Sequence, residues 1–158
     1  MKVVFIAIAC VLLLAGSAVA QKIEGVWQVT EAGIGGDHPM SQKATQPSQY
    51  IFTKKHYSIM QVLGDTPRLE IDERSPATPE QIKETFVNRF VANGGTYELK
   101  NGKLTTWPSI AKSPLGMKSG MSRTSTIEIE GKEMTMSTTY EGQGIAKVIV
   151  ITKLVRIE

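Results

Sequence analysis

The stretch IEGVWQVTEAG, residues 23–33, decides the fold. It reads as a first β-strand over residues 22–32, entered through Gly25 and carrying Trp27 near its start. Working outward, strand follows strand. QYIFT (49–53) and HYSIMQVL (56–63) are separated by Lys54-Lys55 and read as a hairpin. GTYELK and KLTTW flank Asn101-Gly102, which tolerates the positive φ of a type I′ turn and so matches the twist of the joined strands. STIEIE and EMTMSTTY flank Gly131-Lys132, and IAKVIVITKLVRI (145–157) is one long β-branched strand. Together these make eight strands, mostly antiparallel to their neighbours.

One helix interrupts them. Thr78-Pro79-Glu80-Gln81 supplies a capping threonine, a proline at the first helical position and a glutamine three residues past the cap. Ile82, Phe86 and Phe90 then recur every fourth residue beside Val87 and Val91, and Asn93-Gly94-Gly95 ends the run. This predicts a helix at about 79–92 that lays its apolar stripe over one end of the sheet structure.

Eight antiparallel strands expose two edges unless the sheet closes on itself. The predicted fold class is therefore all-β, an eight-stranded antiparallel up-and-down barrel with one α-helix. Side chains alternate along a strand, which sorts inside from outside. Lys147 and Lys153 belong in water, so Val148, Val150, Thr152, Leu154 and Arg156 turn inward. The same parity places Tyr97, Leu99, Ile127, Ile129, Met134, Met136, Thr138 and Tyr140 inside. Tyr50 and Phe52 are assigned inward as well; a one-residue register change puts Ile51 there instead. Such a barrel is either filled by side chains or holds one small ligand.

Pairing of the last strand with the first brings Arg156 to the same end as Trp27. The expectation is that Arg156 stacks on the indole, an interaction of about 0.5–2 kcal/mol, and closes that end of the barrel. Gly25 lets the chain enter tightly beneath the pair. The alternative is an ordinary core tryptophan with Arg156 in solvent.

Residues 1–20, MKVVFIAIACVLLLAGSAVA, read as a signal peptide: Lys2, an apolar run over 3–14, then Ala18-Val19-Ala20 before a cut at Gln21. The barrel domain is then 21–158. The single cysteine, Cys10, leaves with the signal, so the exported domain carries neither thiol nor disulfide. With no Asn-x-Ser/Thr motif, a bacterial periplasmic or secreted protein fits best, without a membrane span after cleavage. The net charge of +3 is mild, and no basic stripe interleaves with aromatics, which excludes a nucleic-acid partner. Charge is nonetheless uneven. Residues 64–84 are rich in acids, whereas 108–123 hold Lys112, Lys118 and Arg123 with no acid.

Gly25-x-Trp27 on a first strand after a signal peptide, with an arginine near the end of the last strand, resembles the lipocalin pattern. The longer likeness is to bacterial lipocalin-like domains, in QYIFTKKHYS, in NGGTYELKNGKLTTWPSIAKSP and in the ending TKLVRIE, together spanning most of 23–157. The resemblance implies an eight-stranded calycin-type barrel with a cavity for small, mostly apolar molecules. The helix after the third strand departs from true lipocalins, which carry theirs near the end.

No catalytic signature stands out. GMKSG (116–120) has the wrong spacing for a nucleophile elbow, and GIGG (33–36) is not followed by a helix. His38 and His56 have no acid at a suggestive spacing, so a barrel isomerase or cyclase ranks low. A Cu(I) site built from Met134, Met136, Met117, Met121 and His38-Pro39-Met40 is a rival, but alternation makes Met134 and Met136 core residues. No cofactor is expected. The leading expectation is a small apolar or amphipathic ligand lined by Trp27, Tyr50, Phe52, Tyr97, Leu99, Trp107, Met134, Met136 and Tyr140. Lys112, Lys118 and Arg123, on the long 108–122 segment or just beyond it, would meet an anionic head group. The alternative is a filled, ligand-free barrel acting as an envelope stability or interaction module.

Overall fold

A computed structural model describes residues 22–36, 39–72, 74–118, 120–142 and 145–158. The expected signal peptide at 1–20 and His38 lie outside them. Among the described residues nine strands form one antiparallel sheet: β1 (Gly25–Gly35), β2 (Met40–Lys43), β3 (Ser48–Phe52), β4 (His56–Val62), β5 (Phe90–Lys100), β6 (Lys103–Ala111), β7 (Arg123–Glu130), β8 (Glu133–Gly142) and β9 (Ile145–Arg156). Each of β3 to β8 pairs with the next, and β1 pairs with β3 on one side and with β9 on the other, closing the barrel.

Nine strands build only eight staves. β2 pairs with Glu31–Ile34 of β1 and β3 with Gly25–Trp27, so the two lie end to end along one edge of β1. Pro47 lacks the N–H that a continuous ladder requires. The gap is patched from both sides: Ala44 N–H donates to Thr30 O at 2.9 Å, and Val29 N–H donates to the Ser48 hydroxyl at 2.9 Å. β1 itself bulges at Thr30, where its register against β9 shifts.

Three hairpins gather at one end, turning at 53–55, 101–102 and 131–132, beside the start of β1 and the end of β9. Asn101 and Gly102 have φ of 51° and 69°, the positive pair that a type I′ turn needs. The longer connections, 63–89 and 112–122, lie at the opposite end, the mouth.

The core fills the hairpin end. Trp27, Leu104, Met134 and Leu154 are each under 2% exposed, and Val29, Phe52, Ile127 and Ile129 surround them. Tyr50 and Phe52 are buried while Ile51 is half-buried, which fixes the register of β3.

The helix is shorter than its apolar spacing predicts. α1 spans Pro79–Ile82 with the expected capping box between Thr78 and Gln81, then widens into a π-helical stretch over Lys83–Asn88. Phe90 and Val91 belong to β5, and Asn93-Gly94-Gly95 continues that strand instead of ending the helix. Ladder hydrogen bonds from β4 claim this segment and override its local helical pattern. Nor does the stripe cover the barrel: Ile82, Phe86 and Val87 are exposed, and Thr85 is the buried helical residue.

Candidate functional site

At the hairpin end the chain seals itself. Trp27 donates its indole N–H to Ile23 O at 2.8 Å and is fully buried. The Arg156 guanidinium lies 4.2 Å from the Trp27 ring centroid and also donates to Glu24 O and Lys22 O. Gly25, at φ 133°, leaves room for this arginine, because a Cβ there would meet Arg156 Nη1 and the Glu158 carbonyl.

Higher up, the interior turns polar. The Tyr50 hydroxyl donates to Gln61 Oε1 at 2.9 Å, and Ser125 and Thr138 share a hydrogen bond of 2.7 Å, all four residues being buried. Thr152 is buried at the same level, paired with Met136 across β8 and β9. Burial pushes the Tyr50 phenol well above its ordinary value, so it stays protonated and serves as a donor.

Beyond this layer a cavity of about 260 Å³ opens at the mouth, between β5, β6, the start of β7 and the 112–122 segment. Phe90, Val91, Pro108 and Met121 supply apolar wall; Asn93, Thr106, Lys112 and Arg123 supply polar atoms. A bulge shapes it. The register of β5 against β6 shifts between Gly94 and Gly95, and a Cβ on Gly95 would run into the Trp107 carbonyl. Gly95 also pairs with Tyr57 across β4, so no side chain competes with the tyrosine there.

The two cations of the cavity are held differently. Lys112 donates to the carbonyls of Phe86, Val87 and Phe90, the first two at 2.8 and 2.9 Å. It thereby satisfies carbonyls left open at the end of the π-helical stretch. Arg123 instead lies over the Tyr140 ring, its Cζ 4.9 Å from the centroid.

The structure separates the residues that the sequence groups together. Trp27, Phe52 and Met134 sit in the packed hairpin end, with Tyr97, Leu99 and Met136 against the same core. Tyr97 packs edge-on to Phe52 at 5.4 Å and donates to Thr53 O at 2.6 Å. Trp107 is 39% exposed and pairs with exposed Thr96, on the outer face of β6 and away from the interior. Tyr50 and Tyr140 approach the mouth. Of the three basic residues, Lys112 and Arg123 line the cavity, and Lys118 is exposed nearby on the same segment. Asn93 and Thr106 line the cavity and Tyr57 lies buried beside Thr106; the sequence reading leaves out all three, and the parity of HYSIMQV, with Tyr57 and Gln61 on one face, points to the last.

Met134 lies in the core, Met40 on exposed β2, and Met117 and Met121 on the exposed mouth segment. Among the described residues no group of three or more His, Cys, Asp or Glu side chains is placed to hold a metal. His56 sits at the β3–β4 turn, its backbone N–H accepted by the Thr53 hydroxyl at 3.1 Å. No protein-family model matches the chain, and no curated protein matches it.

Proposed function

We propose that this chain is an exported barrel of the lipocalin-like kind that binds a small amphipathic molecule at its mouth. The observation that carries the reading is the 260 Å³ cavity, which combines apolar wall with an arginine and sits on a closed antiparallel barrel. Small-molecule sites are typically concave, mostly apolar, and oriented by a few polar groups, and barrel mouths are among their usual places. The packed hairpin end limits the ligand to the upper barrel, so a compact molecule suits it better than a long-chain lipid.

Export rests on the reading of residues 1–20 as a cleaved signal. Native and denaturing mass spectrometry of protein recovered from its producing cells tests both parts. The denatured mass reports whether the chain starts at Gln21, and an excess native mass reports a retained ligand. An empty native mass, together with no chemical-shift change at Thr106 or Arg123 in a panel of small amphiphiles, sinks the binding reading.

A further inference from the structure

The two ends of the barrel present different surfaces. At the hairpin end the turns and their flanks carry Lys54, Lys55, Lys103, Glu130, Lys132 and Glu133, all exposed. At the mouth the exposed side chains are largely apolar. Met40, Val87 and Leu115 are each more than half exposed there, and Phe86, Met117 and Met121 nearly half. Two of the groups stand side by side: Lys112 Nζ donates to the carbonyls of Phe86 and Val87, which sets the 112–122 segment against the helical one. A contiguous apolar surface of this kind marks an interaction site more often than a free face.

Charge at the mouth narrows the choice of partner. On the 63–89 connection Asp65, Glu70 and Glu80 are exposed, and among the described residues none of them has an ion-pair partner. Of the cations on that connection, Arg68 lies over the Phe90 ring and Arg74 pairs with Asp72, so acid is in excess. The neighbouring segment is the reverse. Residues 108–123 hold Lys112, Lys118 and Arg123 with no acid, and Lys118 is exposed with no ion-pair partner among the described residues. An anionic lipid surface would attract the second segment and repel the first. A second copy of this chain meets no such conflict. A twofold axis lying across the mouth, between the two connections, sets the acidic connection of each copy on the basic segment of the other. It also sets apolar rim on apolar rim, the self-complementarity that an isologous contact requires.

We propose that the chain pairs mouth to mouth with a second copy of itself. Glu70 and Glu80 of each copy face Lys118 of the other, around an apolar centre that includes Val87 and Leu115. The inference stands apart from the ligand-binding reading, since it needs only the rim. It does bear on the cavity, because the two mouths then open toward each other.

The test is sedimentation velocity of the full protein at micromolar concentrations, with circular dichroism to confirm that each variant is folded. The wild type should sediment as a dimer. Leu115→Asp should weaken the dimer at least about tenfold; if that variant fails to fold, Leu115→Ser takes its place. Lys118→Glu alone should weaken it about tenfold or more, and so should the pair Glu70→Lys with Glu80→Lys, because each variant brings like charges together across the axis. An equimolar mixture of K118E with the E70K/E80K protein should recover the dimer, since the reversed charges then face their opposites. Lys55→Glu, at the opposite end, should dimerise as the wild type does. A wild type that stays monomeric overturns the proposal. So does a dimer that K118E, E70K/E80K and the Leu115 variant leave intact, or a mixture that fails to recover it. A monomer that floats with phosphatidylglycerol vesicles overturns it as well and assigns the rim to a lipid surface.

Discussion

Arg156 lies face-on over Trp27, 4.2 Å from the ring centroid, and its two terminal nitrogens hold the carbonyls of Glu24 and Lys22. One side chain thus binds the last strand to the segment leading into the first. Replacing it removes a partly desolvated cation–π contact and leaves two carbonyls to find water. Arg156→Ala should destabilise the fold by about 2–4 kcal/mol. Arg156→Lys should recover only part of this, since an ammonium lacks the planar fork. Equilibrium urea unfolding of the two variants measures the difference.

The two tryptophans report on opposite faces of the wall. Trp27 is fully buried and Trp107 is 39% exposed. Trp107→Phe should leave a blue-shifted emission that resists acrylamide, and Trp27 should account for it. A strongly quenched, red emission in that variant would contradict the inward placement of Trp27.

Lys112 secures the helical segment from 22 or more residues away in sequence. Lys112→Met keeps the stem but removes the donors, leaving carbonyls at the end of the π-helical stretch uncapped. Hydrogen exchange should quicken over 79–90 while the ladders of β7 and β8 stay protected. Global stability should fall by about 1–2 kcal/mol. Uniform acceleration across all strands would show that the lysine supports the whole barrel instead.

Stability should decline at alkaline pH. Burial raises the phenols of Tyr50, Tyr57 and Tyr97 above their ordinary value. Above a pH of about 10 the unfolded chain releases protons that the folded chain retains. The stability these phenols contribute is complete below that pH and is lost as pH climbs toward the folded values. Absorbance at 295 nm should show delayed phenolate formation in the native protein, and Tyr50→Phe should reduce the slope of stability against pH.

Gly95 is a more local test. Its Cβ would enter the space of the Trp107 carbonyl, a backbone atom that cannot step aside. Gly95→Ala should cost about 2 kcal/mol or more and disturb the resonances of Thr106 and Tyr57 first.

What the sequence discloses depends on how local the governing interaction is. The period of two in β9 sets Thr152, Leu154 and Arg156 on one face without knowledge of any partner, and the Asn101-Gly102 turn is written in two residues. The run Ile82, Phe86, Phe90 is ambiguous, because Phe90 satisfies a helical spacing and also begins a strand whose partner, Val62, is far off in sequence. Pro47 does signal the break between β2 and β3, though the patching by Ala44 and Ser48 emerges only from the pairing. The height of the cavity lies furthest from the sequence. Parity says which side chains turn inward, but whether they fill a given level depends on volumes contributed by eight staves at once. Hence Trp27, Phe52 and Met134 are interior and yet far from the space that remains at the mouth.

Closure through β1 and β9 has a bearing on how the protein is made. Val26 N–H bonds Glu158 O at 2.8 Å, and Ile157 N–H bonds Val26 O at 2.8 Å. The seam thus joins residues separated by almost the full described chain. Such contacts carry a large loop-closure cost and slow the search for the native state. Until the residues of β9 are free to pair, β1 offers an open edge and the hairpins can form only as an unsealed sheet. Of the nine described strands, the one synthesised last is thus the one that turns that sheet into a barrel.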